Sequence, residues 1–201
     1  MSTITPTQPT STADPAGGGR MTVDEYEPMT LDDPRVELID GYLVTKMAKK
    51  PPHIWTVRAL MRILRKHIPI GWFLAKEDPI RIPGFDEPEP DVSVIRGAEE
   101  DYQDRIAEGS DVALVIEASD STLPQDRGGK RSAYAKARIP VYWIVNLVDR
   151  QVEVYSRPRK GVYASHQDFK PGQQVPVMIA GQQLGAIAVD DILPRRPPQR
   201  P

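Results

Sequence analysis

The sequence predicts an α/β (α+β) fold, a central mixed β-sheet flanked by helices, and three observations carry that prediction. The run Val112–Ser119 is almost uninterrupted apolar sequence, as in a strand covered on both faces. A second apolar run, Val141–Leu147, follows it after a helical stretch at about residues 125–138. A strand, a helix and a further strand in that order make a crossover unit, so part of the sheet is parallel or mixed. Shorter strand and helix patterns fill the chain on either side, with no internal repeat.

Taken in order, Met1 to Arg20 is rich in Ser, Thr, Pro and Gly and ends in Gly17-Gly18-Gly19. It offers too little apolar surface to offset its ordering entropy, so residues 1–20 are expected to be disordered. Residues 21–193 form one expected domain, and 194–201 (PRRPPQRP) a Pro/Arg-rich disordered tail of polyproline character. Thr22, with Glu25 three residues on, reads as a capped first helical turn. Arg35–Ile39 and Tyr42–Lys46 flank Asp40-Gly41, which predicts a hairpin. Ile54, Val57, Met61, Leu64 and Ile68 recur at steps of three and four, predicting an amphipathic helix over about residues 52–68. Arg58, Arg62, Arg65 and Lys66 occupy its other side and read as a solvated face. Short strands are expected near Trp72–Ala75, Pro79–Ile82 and Asp91–Ile95, then a loop or short surface helix over Glu99–Glu108. After the crossover unit, Val152–Ser156 should pair with Val141–Leu147, and weaker strands fit Gly161–His166 and Val175–Ile179. Tyr142 and Trp143 lie inside an apolar strand and are expected to anchor the core.

Composition sets outer bounds. With 201 residues and 39% hydrophobic content the chain can bury a sizeable core. It has no cysteine, which excludes disulfides and thiolate metal sites. Its net charge of −2 does not mark it as a nucleic-acid binder, although a local basic patch suffices to engage phosphates. No apolar run approaches the roughly 20 residues of a membrane span, and the N-terminus lacks a basic-then-apolar leader pattern. The expectation is a soluble, cytoplasmic protein with no membrane contact.

One charge interrupts the most apolar strand: Glu117. A buried, unpaired carboxylate costs several kcal/mol, so something must pair with it. Asp91 follows Pro90 and opens a second apolar run, DVSVI. Two acids on adjacent buried strands suit a hard cation such as Mg²⁺, which takes a few carboxylate oxygens and keeps waters for substrate phosphates. The carbonyl of Ala118 is a possible third ligand. The alternative is structural, with Asp91 only opening a strand and Glu117 paired with an arginine. Lys130 falls one helical turn after Asp126. It either reaches the acids from the helix or makes an exposed ion pair with Asp126 worth a few tenths of a kcal/mol.

Glu37-Leu-Ile-Asp-Gly, Pro90-Asp91-Val, Val115-Ile-Glu117, Ser119-x-Ser121-Thr122, Asp126, Lys130, Tyr134 and Tyr142-Trp-Ile-Val stand in an order that resembles the Uma-type restriction-endonuclease-like family. That family is a branch of the PD-(D/E)XK nuclease superfamily, and the resemblance spans about residues 22 to 193. It implies a restriction-endonuclease-like core and a Mg²⁺-dependent phosphodiesterase site, with Mn²⁺ as a substitute. Asp91 and Glu117 match the two acids of the superfamily motif. Ser119 stands where the superfamily lysine would be, and Lys130 matches the lysine moved to the following helix. Glu37 matches the acid that completes the site from the first part of the fold; the bland alternative is a solvated strand-end acid. The chain departs from the family pattern at Asp120, Val141 and Asn146, and it places Gly128-Gly129 before the lysine.

His53 lies near the start of the first long helix and reads as a surface or capping group. The resemblance points to an endonuclease acting on DNA as a homodimer, with catalytic residues Asp91, Glu117, Lys130 and Glu37. The competing reading is a binding module on a nuclease fold that keeps the acids without turnover.

Overall fold

A computed structural model of the chain describes residues 19–31 and 35–195. The segments expected to be disordered at each end fall mostly outside these residues, and residues 32–34 also lie outside them.

The chain enters through a four-residue helix, α1 (Val23–Tyr26), closed by the expected capping box between Thr22 and Glu25. The hairpin follows as β1 (Val36–Ile39) and β2 (Tyr42–Thr45). Its turn residues Asp40 and Gly41 both have positive φ, +52° and +80°, as a tight two-residue hairpin requires. Helix α2 (Pro51–Leu64) starts on two prolines, whose missing N–H groups cost nothing in a first turn. It stops at Leu64 rather than Ile68: Lys66 and His67 N–H turn to Ile63 O and Leu64 O, three-residue bonds that tighten the end ahead of Pro69. Its buried stripe is His53, Thr56, Val57, Leu60 and Leu64, while Ile54 and Met61 flank it half-buried.

The strands β3 (Trp72–Ala75), β4 (Ile80–Arg81), β5 (Val92–Arg96), β6 (Ala107–Glu108), β7 (Val112–Ser119), β8 (Val141–Asn146), β9 (Gln151–Arg159) and β10 (Val162–Phe169) follow. Six of them form one sheet in the order β10-β9-β8-β7-β5-β3. Only the β7–β8 contact is parallel within it, so the sheet is mixed as predicted. The crossover between them is helical from Leu123 to Lys136: α3 (Leu123–Gln125), a wide π turn (Asp126–Lys130) and α4 (Arg131–Lys136). Strand β9 extends past Ser156 because Pro158 lies beyond the end of β8, pairs only with β10 and breaks no interior ladder. A second hairpin, β11 (Gln174–Ile179) and β12 (Gln182–Ala188), and a short α5 (Val189–Ile192) close the fold.

All eight residues of β7 are buried, and from Leu114 onward, past a register shift against β5, they alternate between two layers. Leu114, Ile116 and Ala118 join the core under α2 and the β11–β12 hairpin. Val115 joins a second core with Tyr134, Tyr142 and Ile144. Glu117 and Ser119 share the face of Val115 and so meet the crossover helix. Tyr142 and Trp143 are fully buried on β8, as anticipated. Among the described residues no helix is long and apolar enough to cross a membrane.

The stretch from Phe85 to Asp91 is pinned to the first hairpin. Gly41 N–H donates to Phe85 O at 2.7 Å, Asp40 N–H to Asp86 at 2.6 Å and Glu87 N–H to Leu38 O at 2.8 Å. Glu87 is buried there, with its Oε2 unpartnered. Burial first, and then the neighbouring Glu27, push its carboxyl up to about 7 from 4.5. The folded state therefore holds this proton where the unfolded chain has lost it. That contribution to stability is complete below pH 4.5 and is lost as pH rises through 7. Glu87→Gln should be more stable than the wild type at pH 8 by about 1–3 kcal/mol and equal to it at pH 4. Urea unfolding across this range checks it; a constant offset between the two proteins would contradict the assignment.

Candidate active site

Glu117 and Asp91 face each other because β5 and β7 pair antiparallel with Val92 opposite Ile116. Their contacts run both ways. Ala118 N–H donates to Asp91 Oδ2 at 2.8 Å, and Asp91 N–H reaches Glu117 Oε2 at 3.3 Å. Both side chains are buried.

Lys130 meets them from the π turn. Its ammonium lies 3.0 Å from Glu117 Oε1 and 3.0 Å from Glu37 Oε2, and all three residues are buried. Tyr134 OH donates to the same Glu117 oxygen at 2.9 Å. The exposed pairing of Lys130 with Asp126 is therefore ruled out, and so is an arginine partner for Glu117. Asp126 is itself buried, accepting hydroxyl hydrogen bonds from Ser119 at 2.6 Å and Thr122 at 2.7 Å. Ser119, where the superfamily lysine would stand, thus fixes the start of the π turn.

Glu37 is not a solvated strand-end acid. It is 2% exposed, and besides Lys130 it accepts from Glu89 N–H at 3.1 Å and from Gln125 at 3.3 Å. The approach of hairpin to helix depends on Gly129: a Cβ there would stand 2.9 Å from Ile39 Cγ2. Gly128, one residue away, has open space around it. The glycine pair that counts against a helix thus contains one position that close packing requires.

The turn itself is braced from β9. Arg127 donates to both oxygens of buried Glu153, at 2.9 and 2.5 Å. Asn146 Nδ2 and Tyr155 OH complete the Glu153 shell at 2.7 and 2.9 Å. This gives Asn146 a structural role, and its Oδ1 also caps the turn at Val148 and Asp149. Val141 is plain core. Asp120 pairs with Lys50 at the rim, 3.2 Å away.

His53 corrects the reading of a surface or capping group. It is 9% exposed, and its ring stands between Asp91 Oδ1, 3.1 Å from Nε2, and the Ala118 carbonyl, 2.8 Å from Nδ1. The sequence signal was present: His53 falls four residues before Val57, on the stripe that α2 buries. Three lysines on the segment after β2 were also missed. Lys49 lies 3.6 Å from Asp91 and 2.8 Å from Glu77, Lys46 pairs with Glu89, and Lys50 sits at the mouth. Together these groups line a cavity of about 60 Å³, room for an ion and a few waters.

Glu37, Glu117 and Asp126 share the ammonium of Lys130, while Asp91 meets Lys49 and His53. Burial opposes the charge on Lys130, yet Glu117, Glu37 and Asp126 outweigh it and hold the amine well above its usual range. Burial also raises Glu117 far above an ordinary carboxylate; Lys130 pulls it down, while Asp126, Asp91 and Glu37 add to the rise. Burial likewise raises Asp126. Asp91 goes the other way: burial would raise it, but His53, Ala118 N–H and Lys49 bring it below its usual value. The excess of carboxylates over cations suits a divalent ion, and His53 Nε2, buried without a hydrogen bond beside Asp91 Oδ1, marks a candidate donor. Among the described residues, no three acid or histidine side chains converge to enclose an ion by themselves. Hard cations accept this, since water and substrate oxygens fill their remaining positions.

Residues 23–189 match the Uma2 family, described as "Putative restriction endonuclease". The chain belongs to the Uma2 family. Among solved structures, this Uma2 chain is similar to an Anabaena variabilis protein described as a "putative nuclease belonging to DUF820". The TM-score is 0.65 at 17% identity, over 86% of this chain and 97% of that one, so the two share the fold. No curated protein matches this chain. The restriction-endonuclease-like architecture expected from the motifs is thus established, with Asp91, Glu117, Lys130 and Glu37 brought into one cleft.

Gly129→Ala should destabilise the protein by about 1–3 kcal/mol through overpacking against Ile39. Gly128→Ala should be neutral or stabilise by up to about 1 kcal/mol. Chemical denaturation of the two variants separates them; equal effects would contradict the close approach at Gly129.

Proposed function

We propose that this Uma2 protein is a metal-dependent endonuclease that hydrolyses DNA phosphodiester bonds, with Mg²⁺ as cofactor and Mn²⁺ as substitute. The observation that carries this reading is the convergence of Asp91, Glu117, Glu37 and Lys130 from four separate segments on one small cleft. The descriptions of both the family and the Anabaena protein as nucleases favour it too. Asp91 and Glu117 would hold the cation, with the Ala118 carbonyl beside them. When bound, a divalent cation supplies Lewis-acid polarisation of the phosphoryl group and a lowered pKa for the attacking water.

The side chains divide the remaining work. Lys130 stays protonated because its carboxylate neighbours hold its proton, so it serves as a hydrogen-bond donor and charge stabiliser, not as a general base. Glu37 positions that ammonium from the hairpin. Tyr134 OH keeps Glu117 oriented across the helix. The lysines of the segment after β2 stand at the mouth, where phosphates of a nucleic-acid backbone would arrive. A homodimer, each copy cutting one strand, would suit a duplex substrate.

Asp91→Ala, Glu117→Ala and Lys130→Ala should each lower Mg²⁺-dependent cleavage of duplex DNA about 100-fold or more. Chelation should abolish the wild-type activity and Mn²⁺ restore it, with double-strand cutting proportional to the dimer fraction. Cleavage at wild-type rates by all three variants would refute the assignment. DNA binding without cleavage in any metal would instead support the binding module.

A further inference from the structure

We propose that His53 Nε2 is a direct ligand of the divalent cation, beside Asp91, and that the Ala118 carbonyl orients the imidazole instead of binding the ion. The inference rests on the metal site described above and refines its ligand set. It stands on three geometric observations.

The first concerns the ring's orientation. Nδ1 lies 2.8 Å from the Ala118 carbonyl, which can only accept, so Nδ1 carries a hydrogen. In the neutral imidazole the lone pair is then on Nε2. A ring N–H donated to a backbone carbonyl, with the other nitrogen on the metal, is how ligating histidines are ordinarily held.

The second is the state of Nε2. It is buried and has no hydrogen-bond partner, although Asp91 Oδ1 is 3.1 Å away. The two form a close pair out of hydrogen-bond alignment, and a cation between them would take the place of the proton they share. Two ligands at right angles about 2.1 Å from an ion are themselves about 3.0 Å apart. The Asp91–His53 spacing matches that value.

The third is competition for the carbonyl. The lobe of the Ala118 oxygen that faces the ring is engaged by His53. Both Glu117 oxygens also have hydrogen-bond donors, from Lys130, Tyr134 and Asp91 N–H. Asp91 Oδ1 and His53 Nε2 face each other without a backbone or hydroxyl donor on either, and Lys49, 3.6 Å away, is the cation to be displaced from Asp91. An imidazole ligand shifts preference toward borderline ions, so Mn²⁺ should bind more tightly than Mg²⁺.

The test is Mn²⁺ binding to the full-length protein, read by titration calorimetry and by pulsed electron paramagnetic resonance. The wild type should show nitrogen coupling from a directly bound imidazole, and ¹⁵N-histidine labelling should change it. His53→Ala should lose the coupling and bind Mn²⁺ about tenfold or more weakly, while His67→Gln and His166→Gln keep both. Because the labelled wild type gives the signature unaided, poor folding of His53→Ala does not block the test. Mn²⁺ bound without nitrogen coupling, and with unchanged affinity in His53→Ala, would overturn the His53 assignment and leave the acid site standing. Absence of Mn²⁺ binding to the wild type would overturn the metal site itself.

Discussion

The ammonium of Lys130, buried between Glu37 and Glu117, is the interaction on which the other parts of the site depend. A buried ion pair of this kind adds little net stability, but removing one partner strands a buried charge at a cost of several kcal/mol. It therefore ties three segments far apart in the chain to one arrangement: the first hairpin, strand β7 and the crossover helix. The restraint is local and directional, since both oxygens lie 3.0 Å from the amine. One ammonium cannot neutralise Glu37, Glu117 and Asp126 together, and the residual negative charge is what a divalent cation would complete.

Several features that look like local defects serve that pair. A glycine at 129 lets the hairpin close on the helix. The π turn over Asp126–Lys130 widens the helix where Lys130 turns toward the strands. Arg127, one residue into that turn, is fixed by Glu153 of β9, so the turn is braced on its other side. Ser119 fills the position of the superfamily lysine and uses it to hold Asp126. Ser119 thereby anchors the helix that carries Lys130.

Much of this was legible in the sequence because local chemistry and tertiary structure agree. Asp40-Gly41 specified a hairpin, the apolar run around Glu117 a strand buried on both faces, and the strand–helix–strand order a parallel pair. Asp91 and Glu117 could be placed together because each sat on a strand too apolar to be solvated. Other features depend on neighbours that no local pattern reveals. The burial of Glu37 comes from the Phe85–Asp91 segment folding over the hairpin, and nothing around Glu37 encodes that. β12 escaped notice because Gln182, Gln183 and Gly185 disfavour a strand; it forms by pairing with β11. His53 was passed over although it lay on the buried stripe of α2, since a polar residue in a first turn is usually solvated. The Ala118 carbonyl and Asp91 that surround it come from strands 38 or more residues away in the chain.

The account's central claim is that this cluster is a preformed divalent-cation site completed by substrate. It is tested most directly by soaking crystals in Mn²⁺ and collecting data at the manganese absorption edge. The account predicts one anomalous peak in the cleft, about 2.2 Å from carboxylate oxygens of Asp91 or Glu117, with Lys130 still in contact with Glu37. An empty cleft in Mn²⁺-soaked crystals, or a peak only at surface carboxylates, would contradict it.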